Sequence, residues 1–101
     1  MPNKYKVELY PKALRELDDI YRYIYEVLQA PEYALGQLDR LEAGIWKLEE
    51  FPYRCAERKN GIYAGKGYRE LQVDHYTVIY RIDEENRTVL VVTVQYNKRN
   101  L

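Results

Sequence analysis

Hydrophobic and polar positions along the chain change their period several times, and each change predicts an element. Residues 4–10 alternate between apolar and polar side chains, which is typical of a strand buried on one face. From Pro11 to about residue 29, apolar side chains recur every three or four positions, as in an amphipathic helix. The same period returns at Pro31 or the following residue and continues to about residue 50. The short link between the two stretches predicts an antiparallel helical hairpin.

The second half of the chain predicts three strands that follow a loop. Residues 52–66 show neither period, and several glycines lie at the end of this stretch. Residues 67–74 and 76–83 alternate, whereas residues 88–96 are apolar on both faces, which favours a central place in a sheet. The order β-α-α-β-β-β predicts an α+β fold with the helical hairpin packed on a small antiparallel sheet.

Length and composition limit the classes of protein that remain. We expect one domain over residues 1–101, because 47% hydrophobic and 32% charged residues are typical of a globular chain of 101 residues. Sixteen basic residues balance sixteen acidic ones, although the basic excess lies in the second half. No stretch is apolar enough to span a membrane and the start lacks a signal-peptide pattern, so we expect a cytoplasmic protein.

The usual signatures of enzyme sites are missing from the sequence. One cysteine and one histidine cannot build a disulfide framework or a metal cluster, and we expect no metal and no cofactor. The chain contains no serine, which excludes a serine nucleophile. Acidic residues 83–85 lie in a predicted turn, where a solvated tip is more common than a catalytic pair. His75 also lies in a predicted turn. It could act as a general acid or base, or it could be an ordinary polar turn residue.

A cluster of basic side chains among tyrosines is the remaining chemical signal. Residues 54–69 contain five basic side chains and one acidic one, and the chain has twelve tyrosines against one Phe and one Trp. Arginine binds phosphate through two parallel hydrogen bonds, and tyrosine rings stack on bases. Phosphate or RNA binding and a solvated basic edge without a ligand both agree with this pattern. Arg69 and Arg81 lie on strands predicted to pair, so they could reach one face of the sheet.

Three segments together resemble a known family. Residues 5–14 read YKVELYPKAL, residues 67–83 read GYRELQVDHYTVIYRID, and residues 88–100 read TVLVVTVQYNKRN. In order and length the chain resembles the RelE/ParE superfamily of toxins from bacterial type II toxin–antitoxin systems. The most specific part is the pattern Gly-x-Arg-x-Leu-x-Val-x-x-Tyr-x-Val-x-Tyr at residues 67–80, followed by Tyr96 and Arg99.

The resemblance implies an antitoxin partner and one of two activities. RelE-like members enter the ribosome and cleave mRNA with Arg, Lys and Tyr or His side chains, whereas ParE-like members inhibit DNA gyrase without cleavage. Arg69, Tyr96 and Arg99 match basic and Tyr/His positions of the family. Where RelE-like nucleases commonly carry Arg after the tyrosine of the third strand, this chain has Thr77, and Arg81 is the nearest substitute.

We therefore expect a toxin that acts as a ribosome-dependent mRNA endonuclease. A ParE-like gyrase inhibitor and a member that binds only its antitoxin are the alternatives. The expected partners are an antitoxin encoded alongside, with the ribosome and mRNA or, in the alternative, gyrase. The expected catalytic side chains, two charge stabilisers followed by two candidates for acid or base, are Arg69, Arg81, Tyr96 and His75. The expected RNA- or phosphate-binding side chains are Lys66, Arg58, Lys59, Lys98 and Arg99. The side chains expected to accept an amphipathic helix of the antitoxin are Tyr21, Tyr25, Leu35 and Trp46.

Overall fold

Two helices and four strands follow one another in the predicted order. The structure, a computed structural model, describes residues 4–97. The elements are β1 (Lys6–Leu9), α1 (Pro11–Arg22), α2 (Pro31–Trp46), β2 (Arg69–Val73), β3 (Tyr76–Asp83) and β4 (Thr88–Tyr96). Each helix starts with a proline, whose missing amide hydrogen needs no partner in the first turn. Within the described residues, no helix has the length and apolar character needed to cross a membrane.

The sheet is mixed, in the order β1-β4-β3-β2. β1 runs parallel to β4, whereas β2–β3 and β3–β4 are antiparallel. The α+β class and the central place of β4 are confirmed, but the prediction of a purely antiparallel sheet is wrong for β1. Tight turns force β2, β3 and β4 to alternate in direction, whereas the helical hairpin separates β1 from the other strands and leaves its direction free.

Both helices contribute to one apolar core against the sheet. Fully buried Leu41 and Ile45 of α2, and Leu48 of the 3-10 turn that follows it (Lys47–Glu49), pack with Val78 and Tyr80 of β3. The buried Tyr80 hydroxyl donates a hydrogen bond of 2.6 Å to the Pro52 carbonyl, which ties the loop after α2 to the core. Burial raises the pKa of the Tyr80 hydroxyl, so it remains a donor at any physiological pH.

A carboxylate on α1 completes the edge of β4 beyond the end of β1. The pairing of β1 with β4 ends at Val91, and the sheet register shifts opposite Ile79 and Tyr80. Beyond Val91, Glu16 of α1 lies beside β4. It accepts a hydrogen bond of 2.8 Å from the Val94 amide and another from the Thr93 hydroxyl. A side chain thus satisfies a strand donor that has no strand partner.

The last turn of the first helix is irregular. Tyr23–Val27 forms a π-helical turn, and Gln29 then adopts a left-handed conformation with a φ of 53°. The helical period correctly predicts an end near residue 29, but it does not distinguish a π turn from an α turn. The wider turn is the kind of local irregularity that often accompanies functional surfaces.

Candidate functional site

A groove rich in tyrosine lies at one end of the sheet, where α1 and α2 meet the turn between β2 and β3. We call it the tyrosine groove; its volume is about 530 Å³. Its polar and aromatic lining consists of Asp19, Tyr23, Tyr33, Gln37, His75, Tyr76 and Tyr96. The rings of Tyr76 and Tyr96 meet edge to face with their centroids 5.6 Å apart. The two predicted acid–base candidates, His75 and Tyr96, therefore share one groove.

The turn that carries His75 is anchored to α2. Asp74 has a left-handed φ of 54° and accepts hydrogen bonds of 2.7 Å from Arg40 Nε and 2.9 Å from Gln37 Nε2. The Arg40 hydrogen bond, followed by that of Gln37, holds the pKa of the Asp74 carboxyl below its usual range. Gln37 is buried, so this anchor links the turn to the interior of the helical hairpin.

Arg69 lies toward the opposite end of the sheet and holds a loop. It stands opposite Tyr80 in the register, and its Nη1 donates hydrogen bonds to the carbonyls of Tyr53 and Cys55. The guanidinium carbon also lies 5.1 Å from the centroid of the Tyr53 ring. These contacts hold the chain after α2 against β2. They occupy the Arg69 guanidinium, the group expected from the sequence to stabilise a phosphate.

The register places Arg69 and Arg81 on opposite faces of the sheet. Arg69 pairs with Tyr80, and residues that face each other across a ladder point to the same side, so Arg81 points to the other side. The expectation that both arginines reach one face is therefore wrong. A shift of one residue in register moves a side chain to the other face of the sheet. The alternation of polar and apolar residues within each strand does not define that register.

The predicted acid–base candidates and the predicted arginines are also separated along the strands. Tyr96 pairs with Tyr76, whereas Arg69 pairs with Tyr80. The four steps along β3 from Tyr76 to Tyr80 span about 13 Å at the usual rise of a strand. The structure thus brings His75 and Tyr96 together and keeps Arg69 and Arg81 away from them.

The basic loop before β2 is only partly available for a ligand. The Arg58 Nη1 forms a half-buried ion pair with Glu70 at 2.5 Å, which joins the loop to the edge of β2. Lys59 and Lys66 are exposed and make no ion pair within residues 4–97. Two further predicted side chains lie outside the described residues: Lys98 and Arg99.

A second groove lies at the opposite end of the sheet and was not predicted from the sequence. We call it the arginine groove; its volume is about 890 Å³. Its lining consists of Lys4, Tyr5, Glu50, Phe51, Pro52, Tyr53, Arg54 and Arg87. The two grooves lie at opposite ends of β3, whose ends, Tyr76 and Asp83, are about 23 Å apart at the usual strand rise.

One carboxylate organises the aromatic side chains of the arginine groove. Glu84 Oε1 accepts hydrogen bonds of 2.8 Å from the Tyr5 hydroxyl and 2.7 Å from the Tyr53 hydroxyl. Arg87 donates to Glu84 at 2.9 Å and stacks on the Tyr5 ring, 4.1 Å from its centroid. The hydrogen bonds from both tyrosines, with that from Arg87, lower the pKa of the Glu84 carboxyl. The same bonds to Glu84 raise the pKa of the Tyr5 and Tyr53 hydroxyls. Glu84 is 79 residues from Tyr5 along the chain, so no local pattern indicates this cluster.

The predicted antitoxin-binding side chains lie along the helical hairpin. Trp46, 51% exposed, lines a groove of about 240 Å³ with Leu14, beside the edge strand β1. Tyr21 lies on α1 and Tyr25 in the π-helical turn that follows it, with their ring centroids 5.7 Å apart. Leu35, on α2, is exposed as well.

Comparison with known proteins decides the family. The model of the family described as the ParE toxin of the type II toxin–antitoxin system ParDE matches residues 7–101. The chain belongs to the ParE toxin family. The resemblance to RelE/ParE toxins is thereby confirmed. No curated protein sequence matches this ParE-family chain at a significant level.

Solved structures agree with the fold of this ParE-family chain. A chromosomal ParDE system from P. aeruginosa is 19% identical, covers 96% of this chain and 100% of its own, and has a TM-score of 0.78. The RelBE2 complex from Mycobacterium tuberculosis is 22% identical, covers 93% and 92%, and has a TM-score of 0.63. Isolated E. coli RelE is 16% identical, covers 95% and 87%, and has a TM-score of 0.60. At these identities the similarity establishes the shared fold.

Proposed function

We propose that this ParE-family toxin arrests growth by binding DNA gyrase and does not itself cleave RNA. The observation that carries the proposal is the separation of Arg69 and Arg81 from His75 and Tyr96. Membership of the ParE family supports the same choice, because ParE-like members of the superfamily inhibit gyrase. Inhibition of gyrase was the alternative to the mRNA endonuclease that the sequence led us to expect.

RNA cleavage by a 2′-hydroxyl needs several groups around one phosphate. A base must accept the hydroxyl proton, an acid must protonate the leaving oxygen, and cations must stabilise the charge that develops. Each group must come within about 3 Å of its reacting atom. Arg69 lies roughly 13 Å along the sheet from Tyr96, and its Nη1 already donates to two loop carbonyls. To reach a phosphate held at the tyrosine groove, Arg69 would have to release the loop after α2.

A supercoiling assay with purified gyrase tests the proposal. Relaxed plasmid, ATP, gyrase and increasing toxin are combined, and we expect supercoiling to fall as toxin concentration rises. A type I topoisomerase that relaxes the same plasmid is the matched control, and its activity should not change. Undiminished supercoiling at toxin concentrations that arrest growth in cells would contradict the proposal.

The antitoxin interface is the second part of the proposal. We infer that an amphipathic segment of a cognate antitoxin packs on the helical hairpin at Trp46, Leu35, Tyr21 and Tyr25. Trp46 and Leu14 leave large apolar surfaces exposed in one groove, which fits the apolar face of a helix. The neighbouring β1 lies at the end of the sheet order, so one of its edges has no strand partner within the described residues.

Alanine substitutions test this interface. Trp46→Ala should weaken antitoxin binding by about tenfold or more, the loss expected for a buried aromatic anchor. Tyr21→Ala should have a smaller effect. Ile62→Ala is the control, because Ile62 is a large exposed apolar side chain in the loop before β2. Titration of each variant with the antitoxin encoded beside the toxin measures the difference, and equal affinity of Trp46→Ala and wild type would remove the proposed surface.

A further inference from the structure

The arginine groove combines an exposed aromatic ring with two immobilised arginines. We propose that it binds a nucleotide unit, with the base stacked on Phe51 and the phosphate held by Arg54 and Arg87. This site is distinct from the tyrosine groove, and of the basic side chains in the loop before β2 it includes only Arg54 within residues 4–97. It does not depend on the action on gyrase proposed above.

Phe51 keeps an unfavourable backbone conformation while its ring stays in solvent. Its φ and ψ are both 54°, in the left-handed region, and the side chain is 79% exposed. A bulky side chain rarely adopts this conformation, and the proline that follows favours an extended residue instead. Packing gives no reason for a phenylalanine here. Backbone strain of this kind concentrates at ligand-binding positions, and an exposed ring is the platform on which bases stack.

Arg54 and Arg87 are both held by hydrogen bonds to the protein, and each keeps N–H donors that could bind a ligand. Arg54 Nη1 donates to the carbonyls of Lys47 and Glu50 at the end of the second helix. Arg87 Nη1 donates to the Tyr5 hydroxyl and to Glu84, and its guanidinium stacks on the Tyr5 ring. Across residues 4–97, neither arginine uses Nε or Nη2 in a hydrogen bond.

Arginines fixed in this way lose little side-chain entropy when they bind an anion. A guanidinium presents a planar fork that matches two phosphate oxygens. Because one nitrogen of each guanidinium is already tied to the protein, the orientation of the remaining donors is largely set before the ligand arrives.

The size of the groove and the cations that line it agree with a nucleotide. Its volume of about 890 Å³ lies within the range of small-molecule pockets, roughly 300–1,000 Å³. Of the three lining cations, Arg54 has no carboxylate partner within residues 4–97, whereas Lys4 pairs with Glu49 and Glu50 and Arg87 pairs with Glu84. An aromatic ring beside two guanidinium groups favours a ligand that carries both a planar ring and a phosphate.

A free nucleotide and a single strand of nucleic acid both carry this chemistry, and a binding experiment distinguishes them. A fluorescently labelled short oligodeoxyadenylate is titrated with the full chain while anisotropy is recorded, and adenosine 5′-monophosphate is then added as a competitor. Competition by the monophosphate shows that a free nucleotide suffices. Binding of the oligonucleotide that depends on Phe51 but resists the monophosphate identifies the strand as the ligand.

Variants of Phe51 connect the binding to the groove. Phe51→Asn removes the ring and tolerates the left-handed backbone, so the fold is retained. It should weaken binding by about tenfold or more, the loss expected for one stacked base. Phe51→Tyr keeps a ring and should keep the affinity. Ile62→Asn is the matched control, because Ile62 is equally exposed, at 76%, and lies outside the groove.

Two results would overturn the proposal. One is no binding of either probe by the wild-type chain. The other is equal binding by wild type and Phe51→Asn, which would assign the affinity to general attraction by surface cations. Phe51→Gly, which also suits a positive φ, replaces Phe51→Asn if thermal unfolding shows that the asparagine variant is not folded.

Discussion

The two ends of the sheet use the same residue type in different ways. In the arginine groove, the hydroxyls of Tyr5 and Tyr53 donate to Glu84, and the cations of Arg87 and Arg69 lie over their rings. In the tyrosine groove, Tyr76 and Tyr96 meet ring to ring, close to His75. Tyrosine content therefore says little about function by itself. What matters is that the predicted charge stabilisers, Arg69 and Arg81, lie away from His75 and Tyr96 along the sheet, because catalysis on a phosphate needs both kinds of group at one point.

Truncation of the shared core should disturb both ends together and gives the largest expected effect. Leu41 is fully buried between the helices and the sheet. Leu41→Ala should lower the free energy of unfolding by about 2–5 kcal/mol, because it leaves a cavity that the core cannot fill. Urea unfolding measures the change. A loss confined to one groove, with the other still resisting hydrogen exchange, would mean that the two ends do not share one core.

Removal of one buried hydroxyl should affect the arginine groove alone. Tyr80→Phe deletes the donor to the Pro52 carbonyl, and we expect a loss of about 1–3 kcal/mol because that buried acceptor loses its partner. Hydrogen exchange of the amides of residues 53–55 should become faster, while the turn at Asp74 and His75 should not change. Unaltered exchange in residues 53–55 would show that this hydrogen bond does not hold the loop.

Relief of strain at Phe51 should stabilise the protein slightly. Phe51→Gly should raise the free energy of unfolding by up to about 1 kcal/mol, because glycine adopts a positive φ freely and the lost ring is mostly exposed. Thermal unfolding of this variant beside Phe51→Tyr, which keeps both the ring and the left-handed backbone, measures the gain. A clear loss of stability would mean that the Phe51 ring contributes packing and is not kept for a ligand.

The smallest expected effect is a pH dependence at each end. Glu84 and Asp74 both have pKa values lowered by their hydrogen-bond donors in the folded state. Each therefore stabilises the fold above the pKa of its unfolded form, near 4.5 for Glu84 and 3.8 for Asp74, and this contribution is lost as pH falls through the folded value. Glu84→Gln and Asp74→Asn should each be less stable than wild type at pH 7 and should approach it in acid. Denaturant unfolding at several pH values tests this, and a difference that persists below both pKa values would exclude the carboxylates as its cause.

Local patterns were sufficient for most of the fold but for little of the site. The predicted strands at 76–83 and 88–96 have the bounds of β3 and β4, because alternation and tight turns are properties of neighbouring residues. The parallel pairing of β1 and the face on which Arg81 lies depend on register, which no local pattern contains. The meeting of Tyr5 with Glu84, and the use of Arg69 to hold a loop, join distant parts of the chain. His75 and Tyr96 stay predicted candidates, and the groove that they share forms only when the chain folds.

The central claim is that the separated ends of the sheet do not form a nuclease, and one measurement tests it directly. Primer extension on a messenger translated in a bacterial extract, with purified wild-type toxin or Tyr96→Phe, reports any cleavage as new 5′ ends. We predict no new 5′ ends with either protein. New ends that require translation and disappear with Tyr96→Phe would contradict the claim, because the tyrosine groove would then act on RNA without the arginines at the far end.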